Sequence, residues 1–220
     1  MRVFYSDTFN LPLPDRHRFP NTKYAMLREK LIGDAVISPD MLERSPLVER
    51  TDILRAHDID YVDAFESGQL DEKAIRRIGF PWSEQLVTRT RATAGGAVAA
   101  ARAALDDRIA GQLAGGTHHA HRDFGSGYCI YNDFAIAALH LIETGAVQRV
   151  AIIDLDVHQG DGNAAILAGH KQTFVFSMHG EKNFPFRKHD SDLDVPLADG
   201  LEDGDYLATL EDHLPAVFAF

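Results

Sequence analysis

The feature that most restricts the possible folds of this sequence is a strand-like apolar run that ends in charged side chains. Residues 150–153 form an uninterrupted apolar run rich in β-branched side chains, as in a strand covered on both faces. The run passes directly into Asp154, Asp156 and His158. Asp161 follows within the segment GDG. Charged groups at the end of a buried strand cost free energy unless a partner or ligand compensates them, so the segment predicts a functional site.

Strand-like and helix-like segments alternate along the chain. Strands are predicted at residues 2–7, 109–116, 149–158 and 173–179. Helices are predicted at residues 22–33, 51–68 (as a pair), 83–105, 132–145, 163–169 and 202–220. Apolar strands that alternate with helices are typical of a parallel sheet covered on both faces. We therefore expect an α/β fold, a parallel sheet flanked by helices on both faces, with the site beyond the carboxyl ends of the strands.

Length and charge restrict the class of protein. The 220 residues carry a formal net charge of −11, which disfavours non-specific binding to nucleic acid or to an anionic membrane. No apolar run approaches the roughly 18 residues of a membrane span. The single cysteine, Cys129, excludes an internal disulfide and favours a reducing compartment. We therefore expect one domain over residues 1–220 in the cytoplasm, with no nucleic-acid or membrane partner.

The polar strand end has the chemistry of a metal site. Because side chains alternate along a strand, Asp154, Asp156 and His158 start on one face. Oxygen and nitrogen donors together suit zinc or iron(II) better than magnesium. Two other interpretations stay open: a capped strand-to-helix loop, or the aspartate motif of a haloacid-dehalogenase-type phosphatase in IIDLDV. The phosphatase hypothesis makes Asp154 the nucleophile and Asp156 the acid/base, and it leaves His158 without a role.

A histidine-rich segment, GGTHHAHRDFGSGYCIYND, covers residues 115–133. His118 and His119 can divide acid and base roles if their partners differ, because imidazole titrates near neutral pH. Asp154 and Asp161 are the available partners, and a carboxylate behind a ring raises the pKa of that ring. The alternative is a solvated histidine-rich turn.

Three successive segments resemble the signatures of the zinc-dependent histone deacetylase superfamily. They are GGTHHAHRDFGSGYCIYND, IIDLDVHQGDGNA and FSMHGEKNFPFRK. The segments LPLPDRHRFPNTKYAMLREKL, IGFPWS and SDLDVPLADGLEDGDYL are most similar to the class IV and bacterial deacetylase-like branch. The resemblance covers residues 5–214. It implies an arginase-like α/β fold and hydrolysis of an N-acyl-lysine amide, with an acylated protein or a small acylated amine as substrate.

The resemblance also implies a zinc site and a substrate tunnel. Asp156 and His158 match the zinc ligands of the family. Gly127 and Tyr128 match residues that line the acyl-lysine tunnel, although from the residues alone Tyr128 also fits an aromatic under a loop. Gln159 replaces the second histidine of the usual His-His pair, a position that is not a ligand in the family.

The catalytic roles and a second cation follow from the same resemblance. His119 matches the main general base, with Asp161 behind it. His118 matches an electrostatic or auxiliary residue paired with Asp154. A structural potassium ion is implied, held by a carboxylate, a hydroxyl and backbone carbonyls. Its ligands are Asp154, Ser177 and the carbonyls of Asp156, His158 and Met178.

Two elements of the family pattern have no match in the sequence. A catalytic zinc site usually has three protein ligands, and this chain matches two. The third ligand, an aspartate, and the tyrosine that helps to bind the oxyanion are both missing before Phe220. We therefore expect the N-terminal two-thirds of the usual domain, inactive or impaired as this chain and prone to self-association through the apolar surface left where the missing strands belong. The alternative is a degenerate protein that binds acyl-lysine without catalysis.

Overall fold

The structure, a computed structural model, describes residues 1–9 and 11–220. Its strands are short, and every pair of neighbours is parallel. Within the described residues they are β1 (Val3–Tyr5), β2 (Leu42–Arg44), β3 (Gly111–Gln112), β4 (Val150–Asp154), β5 (Thr173–Gly180) and β6 (Leu193–Leu197). They form two three-stranded sheets, in the orders β2-β1-β3 and β4-β5-β6. The register places Asp154, at the end of β4, beside Ser177 of β5.

Helices connect the strands. They are α1 (Lys23–Gly33), α2 (Arg50–Ala56), α3 (Ile59–Glu66), α4 (Glu72–Ile78), α5 (Glu84–Asp107), α6 (Asp133–Glu143), α7 (Asp161–Leu167) and α8 (Asp203–Ala219). Ser83 Oγ accepts the backbone N–H of Leu86 at 3.0 Å and so caps α5, as Asn132 caps α6. Gly79 ends α4 with a φ of 89°, a left-handed conformation that glycine adopts without strain. In the part of the chain that the structure describes, no helix combines the length and apolar character needed to cross a bilayer.

The predicted α/β fold with parallel strands and flanking helices is confirmed, with differences in detail. The strands form two separately hydrogen-bonded sheets rather than one. The sequence does not predict β2, β6 or α4, because β2 is half-exposed and polar, β6 contains Pro196, and α4 is short. The predicted strand at 109–116 is reduced to two residues, because Gly115 and Gly116 both have positive φ and turn the chain.

Helix α6 packs against α2, α5, α7 and β4, and most of its residues are buried. Its partner α5 also approaches the loop before α2 very closely. A Cβ at Gly95 would lie 2.1 Å from the carbonyl oxygen of Pro46, and one at Gly96 would lie 2.5 Å from Ser45 Oγ. The small residues of α5 therefore allow close packing, and the close approach to this loop is at these two glycines.

A groove separates the two sheets. β3 and β4 each end a sheet, and no other described strand pairs with their outer edges. Two adjoining cavities of about 560 and 210 Å³ lie along β3 and β4 and share Ala101, Phe134 and Ala137. On the β4 side, Ile153 lines the smaller cavity and is 41% exposed. Unpaired strand edges with exposed apolar side chains favour pairing with another chain.

We expect the purified chain to self-associate through this groove as its concentration rises. Ile153→Lys should weaken the association, because it places a charge beside the free edge of β4. Ile59→Lys is the matched control, since Ile59 is 55% exposed on α3 and away from both sheet edges. Light scattering over a range of concentrations measures the effect. A monomer at every concentration, or equal association of the two variants, would contradict the expectation.

Candidate active site

Two buried histidine–carboxylate pairs lie where the segments after β3 and β4 meet. His118 Nδ1 lies 2.7 Å from Asp154 Oδ2, and His119 Nδ1 lies 2.7 Å from Asp161 Oδ1. The four side chains belong to residues that are only 4% to 7% exposed, and the two ring centroids are 4.1 Å apart. The structure thus brings together the four residues predicted to act in catalysis, and each imidazole has its own carboxylate.

Asp161 also contacts a second imidazole, that of His121. His121 Nε2 lies 2.9 Å from Asp161 Oδ2, and the His121 ring stacks on Phe124 with 4.2 Å between centroids. Burial raises the pKa of Asp161, but the hydrogen bonds with His119 and His121 outweigh it and lower that pKa to about 2. With both oxygens engaged, the carboxylate is held in place behind His119. The sequence assigns His121 no role, although its position two residues after His119 was a signal.

The turn that carries the histidines is anchored by Asp133, the first residue of α6. Asp133 accepts the backbone N–H groups of Gly116 and Thr117 at 3.0 and 2.8 Å, and the Thr117 hydroxyl at 2.8 Å. Burial raises the pKa of this carboxyl, although these hydrogen bonds favour its charged form. Sequence reasoning missed Asp133, because an acidic residue in the first turn of a helix is ordinary.

Close contacts with the paired residues explain the glycines on either side of Asp161. A Cβ at Gly160 would lie 2.3 Å from Asp154 Oδ2, and one at Gly162 would lie 2.5 Å from the carbonyl oxygen of His118. The backbone N–H of Gly162 donates to that same carbonyl at 2.8 Å. The first turn of α7 is therefore bonded directly to the backbone of the histidine turn.

Burial and charge separate the pKa values of the two paired imidazoles. Burial lowers the pKa of His118, but the hydrogen bond with Asp154 and the neighbouring carboxylates outweigh it, so the pKa lies above its usual value of 6.5. Burial, with the charges of His118 and His158, outweighs Asp161 at His119, so the pKa of His119 lies below 6.5. His119 is the ring of the pair whose neutral form is favoured at pH 7.

Asp156 and His158, the predicted zinc ligands, contact each other after the end of β4. Asp156 Oδ1 lies 3.0 Å from His158 Nδ1 and accepts the backbone N–H of His158 at 2.8 Å. Their side chains are 51% and 42% exposed, in contrast to the buried pairs. The His158 ring centroid lies 5.7 Å from that of His119. Among residues 1–9 and 11–220, no group of three His, Cys, Asp or Glu side chains is arranged to hold a metal ion.

A pocket of about 540 Å³ is bordered by His119 and His158. Its lining includes Gly127 and Tyr128, the residues predicted to line a tunnel, and also Phe184. A Cβ at Gly127, whose φ is 54°, would lie 3.0 Å from His119 Cδ2 and 3.2 Å from the Phe184 ring. Phe184 stands edge-on to His119, with 4.8 Å between centroids. Glycine is therefore required at residue 127, and Phe184 is a wall residue that the sequence does not single out.

The residues predicted to hold potassium lie beside Asp154. Ser177 is fully buried, and its hydroxyl lies 3.0 Å from His179 Nδ1. Met178 follows in β5 and is 1% exposed. Asp154 Oδ1 accepts the backbone N–H of Asp156 at 3.1 Å. A carboxylate and a hydroxyl side by side are suitable ligands for a hard cation, and the potassium site stays a prediction.

Gln159 has a structural role rather than a ligand role. Its side-chain N–H₂ donates to the His189 carbonyl oxygen and to Asp194 Oδ1, each at 2.7 Å. Its carbonyl oxygen accepts the backbone N–H of His189 at 3.0 Å. The residue is 1% exposed and joins the loop after β4 to the start of β6.

We expect a buried histidine near the site, His57, to make the fold acid-sensitive. Its Nε2 accepts the backbone N–H of Asn132 at 2.8 Å, and burial lowers its pKa to about 4. An unfolded histidine titrates near 6.5, so the unfolded chain takes up this proton first as pH falls. His57 therefore contributes stability in full above pH 6.5, and about 1.4 kcal/mol is lost per pH unit between 6.5 and about 4.

Urea unfolding between pH 7 and pH 4 measures this loss. His57→Gln keeps an acceptor for the Asn132 N–H but does not titrate. The free energy of unfolding should therefore decrease less in the variant than in the wild type between pH 7 and pH 4, by up to about 3 kcal/mol. Parallel curves for the two proteins would show that His57 is not the group responsible.

Comparisons with known proteins place this site in a family context. The profile of the Histone deacetylase domain matches residues 15–220. A protein of Picosynechococcus sp. strain PCC 7002 is 46% identical over 212 residues, which cover 96% of this chain and 71% of that protein. The acetoin utilization protein AcuC of Staphylococcus aureus strain COL is 29% identical over 215 residues, which cover 88% of this chain and 55% of AcuC.

A solved structure gives the same relationship in three dimensions. The crystal structure of an HDAC homolog complexed with SAHA superposes with a TM-score of 0.84 at 26% sequence identity. The match covers 99% of this chain and 64% of the homolog chain. The chain thus spans between about half and three-quarters of the length of these relatives.

Proposed function

Because the chain belongs to the histone deacetylase family, in its bacterial-like branch, we propose that it hydrolyses N-acyl-lysine side chains or related small acylated amines, with zinc as cofactor. One arrangement carries the proposal. The His119–Asp161 pair and the Asp156–His158 pair meet at one pocket, and the first is buried while the second is accessible.

Asp156 and His158 fit zinc in the kind of donor atoms they offer. A carboxylate oxygen and an imidazole nitrogen lie 3.0 Å apart and are open to solvent. Bound zinc would polarise the substrate carbonyl and lower the pKa of a bound water. A catalytic zinc site usually has three protein ligands, so we infer that these two alone hold zinc weakly and that turnover is impaired until a third donor is provided.

His119 is positioned to act as the general base. Its Nδ1 is occupied by Asp161, which leaves Nε2 as the nitrogen that can accept a proton. His119 takes a proton from water as the water oxygen bonds to the amide carbonyl carbon. The carbon–nitrogen bond then breaks, and the proton passes from His119 to the departing amine. The second proton of the water passes from the new carboxylic acid to the amine, so the products are a carboxylate and an ammonium group.

His118 acts electrostatically in this proposal. Asp154 orients its ring beside that of His119, with 4.1 Å between ring centroids. A positively charged imidazole at this position stabilises negative charge that develops on the carbonyl oxygen. The pKa of His118 is raised and that of His119 is lowered, so His118 is the ring that more readily carries a proton and His119 the ring that is available as a base.

The remaining assignments follow from the same family membership. We propose that Asp154, Ser177 and the Met178 carbonyl contribute to a potassium site that stabilises the end of β4. We also propose a cytoplasmic protein with an acylated protein or amine as its substrate and without a nucleic-acid or membrane partner. The net charge of −11 and the single, buried Cys129 support this proposal.

One observation favours a second candidate function, binding of acyl-lysine without turnover. In the described part of the chain, Asp156 and His158 match zinc ligands of the family, and no third His, Cys, Asp or Glu side chain is grouped with them. A protein of this kind would keep the pocket and the preference for an acyl group but would not release acetate. The phosphatase hypothesis has less support, because a nucleophile must be accessible and Asp154 is 7% exposed with both oxygens hydrogen-bonded.

A zinc titration with a fluorogenic acetyl-lysine substrate tests the proposed function. We expect turnover that rises with zinc and is removed by a chelator. Acetyl-dependent binding without any turnover would favour the second candidate. Hydrolysis of p-nitrophenyl phosphate with magnesium, and none of the acetyl-lysine substrate, would restore the phosphatase hypothesis.

A further inference from the structure

Two arginines stand at the mouth of the pocket that contains His119 and His158. Arg76 and Arg77 occupy the last turn of α4, and both belong to the lining of this pocket. Both are exposed, whereas His119 is 4% exposed, so the arginines lie at the entrance and the histidine lies at the floor.

The Arg77 side chain is held in place without a carboxylate. Its guanidinium carbon lies 4.5 Å from the centroid of the Phe124 ring, a cation–π contact. The Arg77 carbonyl oxygen accepts the backbone N–H of Gly127, a wall residue, at 3.2 Å. No carboxylate of the described residues forms an ion pair with the Arg77 guanidinium. Arg76 pairs only with Glu72, and both side chains are highly exposed.

The pocket lining contains no aspartate or glutamate. The nearby Asp156 contacts His158, and in the proposed function its negative charge would be compensated by the zinc ion that it binds. The net charge of −11 does not reverse the local sign, because exposed charges farther than roughly 8–10 Å are largely screened at physiological salt. Among Lys, Arg, Asp and Glu, the pocket lining contains only these two arginines, so the entrance presents positive charge on an acidic protein.

A purely structural explanation of these arginines is available but incomplete. Basic side chains in the last turn of a helix interact favourably with the helix dipole, and this accounts for a positive charge there. The helix dipole does not explain why the Arg77 guanidinium stacks on the Phe124 ring beside the pocket. Nor does it explain why the N–H donors of Arg77 make no ion pair with a carboxylate of the described residues. Guanidinium groups recognise carboxylates through paired N–H donors.

We propose that Arg77, assisted by Arg76, selects acyl-lysine substrates that carry carboxylates next to the acylated residue. The inference rests on the proposed function, since the acyl-lysine side chain must enter the pocket for its flanking residues to reach the entrance. Arg77 is a specificity residue in this scheme and takes no part in the chemical step.

Peptide binding tests this inference. Two fluorescein-labelled peptides with one acetyl-lysine are compared, one flanked by Asp and Glu and the other by Asn and Gln. Dissociation constants are measured by fluorescence anisotropy with zinc present, at about 25 mM and about 300 mM salt. We expect the wild type to bind the acidic peptide about tenfold more tightly at low salt, equivalent to about 1.4 kcal/mol, with a smaller ratio at high salt.

Substitutions of the two arginines test whether they cause the preference for the acidic peptide. Arg77→Gln should reduce it to about twofold, and Arg77→Lys should recover part of it, because the charge remains without the paired donors. Arg76→Gln is a second variant should Arg77→Gln unfold. Lys171→Gln makes the same charge change at an exposed position away from the pocket and should keep the full preference.

The outcomes separate this inference from the proposed function. Equal affinity of the wild type for both acetylated peptides, or an undiminished preference in Arg77→Gln and Arg76→Gln, would overturn the selection of acidic substrates alone. Unacetylated copies of both peptides test the acyl-lysine pocket, and binding that ignores the acetyl group would overturn the proposed function. Absence of binding by all four peptides would overturn both.

Discussion

Replacement of His119 by alanine is expected to lower kcat for acetyl-lysine hydrolysis by about 10³-fold, within the range of 10² to 10⁴ typical of a general base. The physical reason is specific to this ring. Its Nδ1 is fixed by Asp161, its Nε2 is the nitrogen free to accept a proton, and its neutral form is favoured at pH 7. Alanine removes the acceptor but leaves Asp156 and His158 in place.

Two further variants complete this experiment. His118→Ala should reduce kcat less than His119→Ala, because His118 contributes charge rather than accepting the proton of the attacking water. His170→Ala removes an exposed imidazole away from the pocket and should leave turnover unchanged. Activity of His119→Ala within a few-fold of the wild type, with zinc bound to both, would remove His119 from the role of base.

Asp156→Ala is expected to weaken zinc binding by about 100-fold or more, because it removes one of the two donors that contact each other beside the pocket. The loss of one ligand is severe at a site that begins with fewer than three, since His158 alone would hold the ion. Competition with a zinc-responsive dye measures the dissociation constant directly and does not depend on turnover.

The control for this variant is Asp190→Ala. Asp190 is exposed and forms no ion pair within the described residues, so its replacement changes the charge equally without touching the site. Thermal unfolding should show that both variants fold. Retention of one zinc per chain with unchanged affinity in Asp156→Ala would contradict the assignment of this residue as a ligand.

The sequence predicts the parts of the site that lie close together along the chain. Asp154, Asp156 and His158 follow one apolar strand, and His118 and His119 are adjacent, so pattern and residue type are sufficient to find them. The parallel α/β architecture is predicted for the same reason, because β4 and β5 are continuous apolar runs.

The remaining parts depend on contacts between distant segments. Asp133 anchors Gly116 and Thr117 from the start of α6, and nothing in its local sequence distinguishes it from an ordinary first-turn residue. Phe184 contacts His119 from the loop after β5. The sequence of this loop has neither a helical nor a strand-like hydrophobic period, so nothing in it indicates the contact. β6 is missed because Pro196 and the polar Asp194 interrupt its pattern, and the division into two sheets depends on pairing that the sequence does not encode locally.

The bond between the Gly162 N–H and the His118 carbonyl has a consequence for how this protein can vary. The Asp154 and Asp161 side chains orient the two rings, and this main-chain bond sets the position of the turn that carries them. Exposed positions of that helix, such as Ala165, are therefore free to change during evolution, whereas any side chain at residue 162 would collide with the backbone of the histidine turn.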